Sequence, residues 1–236
     1  MRRQIPNVLT GLNLLLGSVS IPLAFFSVEH AALVIVMAAF LDLFDGMLAR
    51  KFHAVTSFGQ QFDSLADLVS FGLAPSVLIF QMMLHSQNHP GIYAGDIPVF
   101  AFPGIFIGLF AGIRLGRFNT APASSFFSGL PAPAAGLMIS SIPLALWLEG
   151  ERGGFLIEVY MEYYFLLALV IFNCVCMVSS IRMISLKIPL KQLLQYPETI
   201  TLLAGSVLLL ILFRFSGIPL IFIWYALVSA GFGWVR

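Results

Sequence analysis

The sequence predicts an all-α fold, a polytopic integral membrane helical bundle with eight transmembrane helices. Three observations carry that prediction. Hydrophobic residues fill 59% of the 236 positions and charged residues only 10%, far from the balance of a water-soluble domain. Eight apolar stretches approach the roughly 20 residues needed to cross a bilayer core of about 30 Å. The cations fall on alternate sides of those stretches. Arg2, Arg3, Arg50, Lys51, Arg114, Arg117, Arg182, Lys187, Lys191 and Arg236 share one side, against Arg152 and Arg214 on the other. The richer side is expected to be cytoplasmic, with both termini inside the cell.

The spans follow in order. The first, about 6–26, opens on "IPNVLTGLN" after Arg2 and Arg3. Its length, and the lack of a small-residue cleavage site before polar sequence, argue against a removed signal peptide. The second, 31–49, ends on "LDLFDGMLAR", and the third, 61–84, opens on "QFDSLADL". The fourth, 97–118, ends near "RLGRFN"; the fifth, 131–149, begins in "SGLPAPAA" with proline near its start. The sixth, 159–181, holds Cys174 and Cys176. Two residues apart on a helix they face different ways, so buried thiols are expected and not a disulfide or metal site. The seventh and eighth, 198–213 and 217–234, flank the short turn "RFSGIP", where Arg214 can snorkel to the interface. The longest connections reach only about sixteen residues, so residues 1–236 are expected to form a single membrane domain. In one of them "KIPLKQLLQYPE" is expected to lie along the interface as a short amphipathic piece.

Asp42, Asp45, Asp63 and Asp67 interrupt the second and third spans. On a helix, positions i, i+3, i+4 and i+7 share a face, which aligns Asp42, Asp45, Gly46 and Ala49, with Arg50 adjoining. Gly59, Asp63 and Asp67 align in the same way. The two helices are joined by a short loop, so the acidic faces can meet, and Asp42 lies roughly 12 Å below Arg50 along the axis. Converging carboxylates repel unless cations lie between them. Hard divalent ions with oxygen ligands answer that need, two of them about 3.5–4 Å apart, magnesium or manganese rather than zinc. Gly46 and Ala49 leave the helix open to a ligand, and Arg50 at the mouth suits phosphate oxygens.

The spacing D-x2-D-G-x2-A-R-x8-G-x3-D-x3-D, filled by Asp42, Asp45, Gly46, Ala49, Arg50, Gly59, Asp63 and Asp67, resembles the signature of the CDP-alcohol phosphotransferase family. The resemblance implies a six-helix core over residues 1–181, with 198–236 as two additional C-terminal helices. It implies two divalent ions, Mg2+ or Mn2+, and transfer of a substituted phosphate from a CDP-linked donor to an alcohol, releasing CMP. By that likeness Asp42 and Asp63 touch both ions, Asp45 one and Asp67 the other, and Asp67 is the candidate general base. Gly46, Ala49, Arg50 and Gly59 are placed by it near the cytidine and diphosphate. "IPNVLTGLN" resembles the family's first helix, where Asn7 and Thr10 reach the nucleotide; capping of a helix start accounts for the same two residues equally well. A homodimer in a bacterial inner membrane, with no nucleic-acid partner, is implied as well.

"DSLADLVSFGLAP", "RLGRFN" and "FSGLPAPAA" resemble the stretches of those family members that use CDP-diacylglycerol and L-serine, with Gly116 standing where alanine is expected. The implied reaction makes phosphatidylserine. Arg114 and Arg117, a turn apart, suit the serine carboxylate, although anchoring at the cytoplasmic face explains either one. Asn119, Ser128 and Gly129 complete the expected acceptor pocket. Glycerol 3-phosphate, inositol phosphate or choline as acceptor is the nearest alternative. A cation or proton transporter is the alternative of another class. It predicts acids reaching the outer halves of spans two and three, and the sequence has none there.

Overall fold

Proline and polar caps mark where the first helices begin. Pro6 sits in the first turn of α1 (Ile5–Leu23), where its missing N–H costs no helical bond. The Ser27 hydroxyl accepts the His30 N–H at 3.2 Å and opens α2 (Val28–Lys51). Thr56 caps α3 (Ser57–Asp67) by accepting the Gly59 N–H at 3.0 Å. Past Asp67 the chain widens into a π-turn, Leu68–Leu73, and continues as α4 (Ala74–Leu84), so one helical run of 28 residues crosses the molecule. The computed structural model describes residues 5–51, 56–120, 129–150, 154–181, 183–184 and 196–233, with only the backbone at Ile5, Ala49, Arg50 and Gly233.

Beyond α4 a two-stranded hairpin pairs β1 (Tyr93–Ala94) with β2 (Ile97–Pro98), in the register Tyr93 to Pro98 and Ala94 to Ile97. A 3-10 segment, Val99–Ile105, leads into α5 (Phe106–Thr120). The fourth expected span therefore begins non-α, around Pro103. Next come α6 (Ala132–Glu149), α7 (Phe155–Met161) and α8 (Tyr163–Val178). A single sixth span over 159–181 is not what forms: Glu162 is extended, at φ −76° and ψ 129°. The cause is a backbone bridge. Gln87 N–H donates to the Met161 carbonyl at 2.7 Å, and Tyr163 N–H donates to the Gln87 carbonyl at 3.1 Å, displacing helical partners. The expected seventh and eighth spans are α9 (Pro197–Phe213) and α10 (Ile218–Gly233), separated by a 3-10 turn, Arg214–Gly217. They fold back on each other: Trp224 Nε1 donates to the Thr201 carbonyl at 3.3 Å.

The run from Ser57 to Leu84 is the central element: 61% of its most apolar 18-residue stretch is buried, against 28% for the corresponding stretch of each of the first two spans. Small residues let its neighbours approach, as expected where lipid is as apolar as the core and packing drives helix association. Gly104 of the 3-10 segment and Gly108 of α5 let that stretch approach it: a Cβ on Gly104 would stand 2.9 Å from the Phe80 nitrogen, and one on Gly108 2.9 Å from Ser76 Oγ. Gly136 of α6 meets Phe71 of the π-turn, where a Cβ would lie 3.2 Å from Cα. Phe71, Leu78, Ile79, Ile107, Ile139 and Leu166 fill the resulting core. Outward-facing side chains such as Leu15, Phe26, Phe40 and Ile211 are equally apolar, which suits a lipid surround.

The C-terminal hairpin is fastened to the rest of the bundle at both ends. At one end, buried Glu149 accepts from the Ser216 N–H at 3.1 Å and from its hydroxyl, and the Tyr160 hydroxyl donates to the Ser216 carbonyl. At the other, Ser229 Oγ accepts the Ile184 N–H at 3.3 Å, and the Tyr225 hydroxyl donates to the Ile184 carbonyl at 3.0 Å. Between these ties α10 lies along α6.

Candidate active site

The first helix, the end of the second and the beginning of the third converge on one end of the bundle. One oxygen each of Asp42, Asp63 and Asp67 lies within 4.8 Å of the others. All three residues are half-buried. Asp63 Oδ1 and Asp67 Oδ1 are buried with no hydrogen-bond partner. Two helices therefore bring acceptor oxygens together in a sheltered place, where an unmet carboxylate is costly. The donor set is all carboxylate, the chemistry of a hard divalent cation, and its spacing closes around a small ion with modest side-chain adjustment.

Asp45 behaves differently from the other three. It is buried, and its Oδ2 accepts from the Thr10 hydroxyl at 2.9 Å. That hydroxyl also lies 3.0 Å from the Pro6 carbonyl. Thr10, expected at the nucleotide, thus reaches the acid cluster through Asp45. Asn7 is brought to Gly59: a Cβ on that glycine would stand 3.1 Å from Asn7 Oδ1 and equally close to the Thr56 hydroxyl. A Cβ on Gly46 would meet nothing within 4 Å, so α2 presents an open face beside the carboxylates. The backbone of Ala49 and Arg50 continues α2, and their side chains lie outside the described residues.

The residues expected around the acceptor divide. Arg114 is near enough for its charge to act on Asp67, and its Nε is buried without a partner. Arg117, one turn on, donates instead to the Val178 carbonyl at 3.2 Å, at the end of α8. There a cation complements the helix dipole and an orphan carbonyl. Asn119 pairs with Ser64, its Nδ2 donating to the hydroxyl at 3.0 Å, which ties α5 to α3 beside Asp63. Gly129 has φ +77° and lies against the end of α8, where a Cβ would stand 2.5 Å from the Met177 carbonyl oxygen. Its N–H donates to the Ile181 carbonyl at 2.9 Å. Ser128 lies outside the described residues, as do seven of the cations used to orient the chain: Arg2, Arg3, Arg152, Arg182, Lys187, Lys191 and Arg236.

Sequence reasoning passed over Thr56, Ser64 and Ser70. Thr56 was legible as a cap three residues ahead of Gly59. Ser64 and Ser70 declare themselves only once α5 and α1 are in place, since Ser70 donates to the Asn13 carbonyl of α1 at 3.0 Å.

A helical membrane bundle that gathers carboxylates from two helices near one of its ends defines an integral-membrane enzyme. The chain belongs to the CDP-alcohol phosphatidyltransferase family, whose model matches residues 3–232 and so runs through α10. It is 35% identical over 137 residues to a CDP-diacylglycerol–serine O-phosphatidyltransferase of Bacillus subtilis, covering 57% of this chain and 72% of that protein. A Helicobacter pylori protein of the same name is 33% identical over 181 residues, 75% of this chain and 70% of the relative. An archaetidylserine synthase of Methanothermobacter thermautotrophicus is 35% identical over 144 residues, 59% of this chain and 58% of the relative.

Proposed function

We propose that this protein transfers the phosphatidyl group of CDP-diacylglycerol to the hydroxyl of L-serine, giving phosphatidylserine and CMP. The observation that carries the reading is the meeting of Asp42, Asp63 and Asp67 within 4.8 Å, on residues that complete the family signature. The acceptor follows from the relatives, whose names share serine whether the lipid is diacyl or archaetidyl.

In this reaction the serine oxygen forms a bond to the phosphorus that bears the diacylglycerol, and the phosphoanhydride bond to CMP breaks in line with it. Asp67 takes the hydroxyl proton. Asp42, Asp45, Asp63 and Asp67 would hold two divalent ions, Mg2+ or Mn2+. Such ions, when bound, neutralise charge on the attacking and leaving oxygens. Asn7, Thr10, Gly46, Ala49, Arg50 and Gly59 line the nucleotide side. Arg114 offers its guanidinium to the serine carboxylate, and Arg117, Asn119, Ser128 and Gly129 are the further residues assigned to acceptor binding. The protein acts as a homodimer in the cytoplasmic membrane, its site and both termini on the cytoplasmic side, as the ten-to-two partition of cations favours. The whole chain works as one membrane domain, residues 198–236 buttressing the catalytic part at 1–181.

Purified protein incubated with CDP-diacylglycerol, labelled serine and Mn2+ is expected to release CMP and form labelled phosphatidylserine in equal amounts. Release of CMP with glycerol 3-phosphate and none with serine overturns the choice of acceptor. Two variants divide the site. Arg114→Ala is expected to raise the KM for serine by about 10-fold or more, the loss of a charged contact, with a much smaller change for CDP-diacylglycerol. Gly46→Ala is expected to do the reverse. Its Cβ enters open space in the protein alone, so stability stays within about 0.5 kcal/mol of wild type. The KM for CDP-diacylglycerol rises because the nucleotide needs that space. Equal effects on both substrates would refute the division.

A further inference from the structure

Several buried side-chain polar atoms have no hydrogen-bond partner. Among the described residues they include Asp63 Oδ1, Asp67 Oδ1, Arg114 Nε and both heteroatoms of the Asn13 side chain. The first three belong to the site already described. Asn13 is a residue for which the proposed chemistry has no use, yet it is 0% exposed.

Its position on α1 is defined from both sides. Pro6, Thr10, Asn13, Gly17 and Ser20 form the buried stripe of that helix. Thr10, one turn before Asn13, holds Asp45 at 2.9 Å. Gly17, one turn after, is pressed against Ser70, and the Ser70 hydroxyl donates to the Asn13 carbonyl at 3.0 Å. α1 and α2 are consecutive, antiparallel and packed along each other. The step from Thr10 to Asn13, about 4.5 Å of rise, therefore parallels the step from Asp45 to Asp42. On the central run, Ser70 lies one turn beyond Asp67. Asn13 thus stands at the floor of the carboxylate cluster, level with Asp42 and Asp67.

A side-chain carboxamide has two donors and an acceptor oxygen. Buried without protein partners, it is met by something that the described side chains do not supply, and the carboxylate cluster is the polar site nearest in level to it. We infer that Asn13 is a positioning residue of the metal site, its amide holding from the inner side the water that accompanies a bound divalent cation. The inference rests on reading Asp42, Asp63 and Asp67 as metal ligands. It adds a contact from the first helix, which would otherwise touch the acids only through Thr10.

The test is thermal unfolding of the full chain in detergent, first with chelator and then across a Mn2+ titration, for wild type, Asn13→Leu and Asp63→Asn. Leucine has the branched outline and the number of side-chain heavy atoms of asparagine, is bulkier, and carries no polar group. Asn13→Leu is expected to unfold at the same or a higher temperature than wild type in chelator, yet to need 10- to 100-fold more Mn2+ for the same stabilisation, as for other outer partners of metal ligands. Asn13→Ala carries the same expectation for Mn2+ should the leucine variant not fold. A Mn2+ requirement within threefold of wild type in the folded variant makes Asn13 a bystander and overturns the inference alone. If wild type itself gains nothing from Mn2+ and matches Asp63→Asn, the metal site falls, and the inference with it.

Discussion

Asp67→Asn is expected to lower kcat for CMP release by about 10³-fold or more while leaving a folded protein. A single preorganised electrostatic contact at a developing charge is worth about 10²- to 10³-fold. Asp67 is proposed for two duties, holding a cation and accepting the serine proton, so its loss belongs at or beyond the top of that range. The substitution keeps shape and removes charge. Asp42, Asp63 and Asp67 lie within 4.8 Å of one another, with Oδ1 of the latter two unpartnered. Without metal, removing one negative charge relieves repulsion, so unfolding in chelator occurs at the same or a higher temperature. With metal the order reverses. A cation present at 100 times its Kd stabilises the folded state by about 2.7 kcal/mol, and the variant forfeits that gain. Activity within tenfold of wild type would show that Asp67 neither binds metal nor takes the proton. A fall in stability in chelator would show that the carboxylates hold the fold together and do not strain it.

Much of this site was legible in the sequence, because helical periodicity is a local property. The four-residue steps from Gly59 to Asp63 to Asp67 and the three-residue step from Asp42 to Asp45 require shared faces, and a short loop between two spans lets those faces meet. Which carboxylates join was not legible. Asp45 is claimed by Thr10 of α1, and that pairing depends on how the first helix packs. Arg117 illustrates the same limit: one turn from Arg114 it looks equivalent, but the end of α8 takes its guanidinium. The break at Glu162 comes from a bridge to Gln87, 75 residues away along the chain, within a stretch whose composition reads as continuous helix. One signal was present and passed over. Gly104, Gly108 and Gly112 recur every four residues, the pattern of a close helix contact in a membrane, and they carry α5 onto the central run so that Arg114 arrives beside Asp67.

Gly17→Ala is expected to have the second large effect, on stability and activity together, although Gly17 is not proposed to touch a substrate. The π-turn that follows Asp67 adds a residue to the helical turn, and such wide turns persist where tertiary contacts hold them. Ser70 within it is held by α1, its hydroxyl on the Asn13 carbonyl and its backbone against Gly17. A Cβ on Gly17 would stand 2.2 Å from Ser70 Oγ and 2.7 Å from Ser70 Cα. A hydroxyl can rotate away, but a Cα cannot, so the two helices must separate. Overpacking of this kind costs about 1–3 kcal/mol, and a backbone collision belongs at the upper end. Separation also draws Thr10 from Asp45 and Asn7 from Gly59, so CMP release should fall at least about 10-fold, the scale on which ångström shifts act at a reacting centre. Ser70→Ala in the same chain removes Oγ but leaves Cα, and is expected to recover only part of the loss. Gly11→Ala is the control on the same helix. Its nearest neighbours are Phe62 ring atoms at 3.9 Å, ordinary contact distance, so stability and rate should stay close to wild type. If Gly17→Ala proved as mild as Gly11→Ala, the close approach of α1 to the π-turn would not be what holds Asp67 in place.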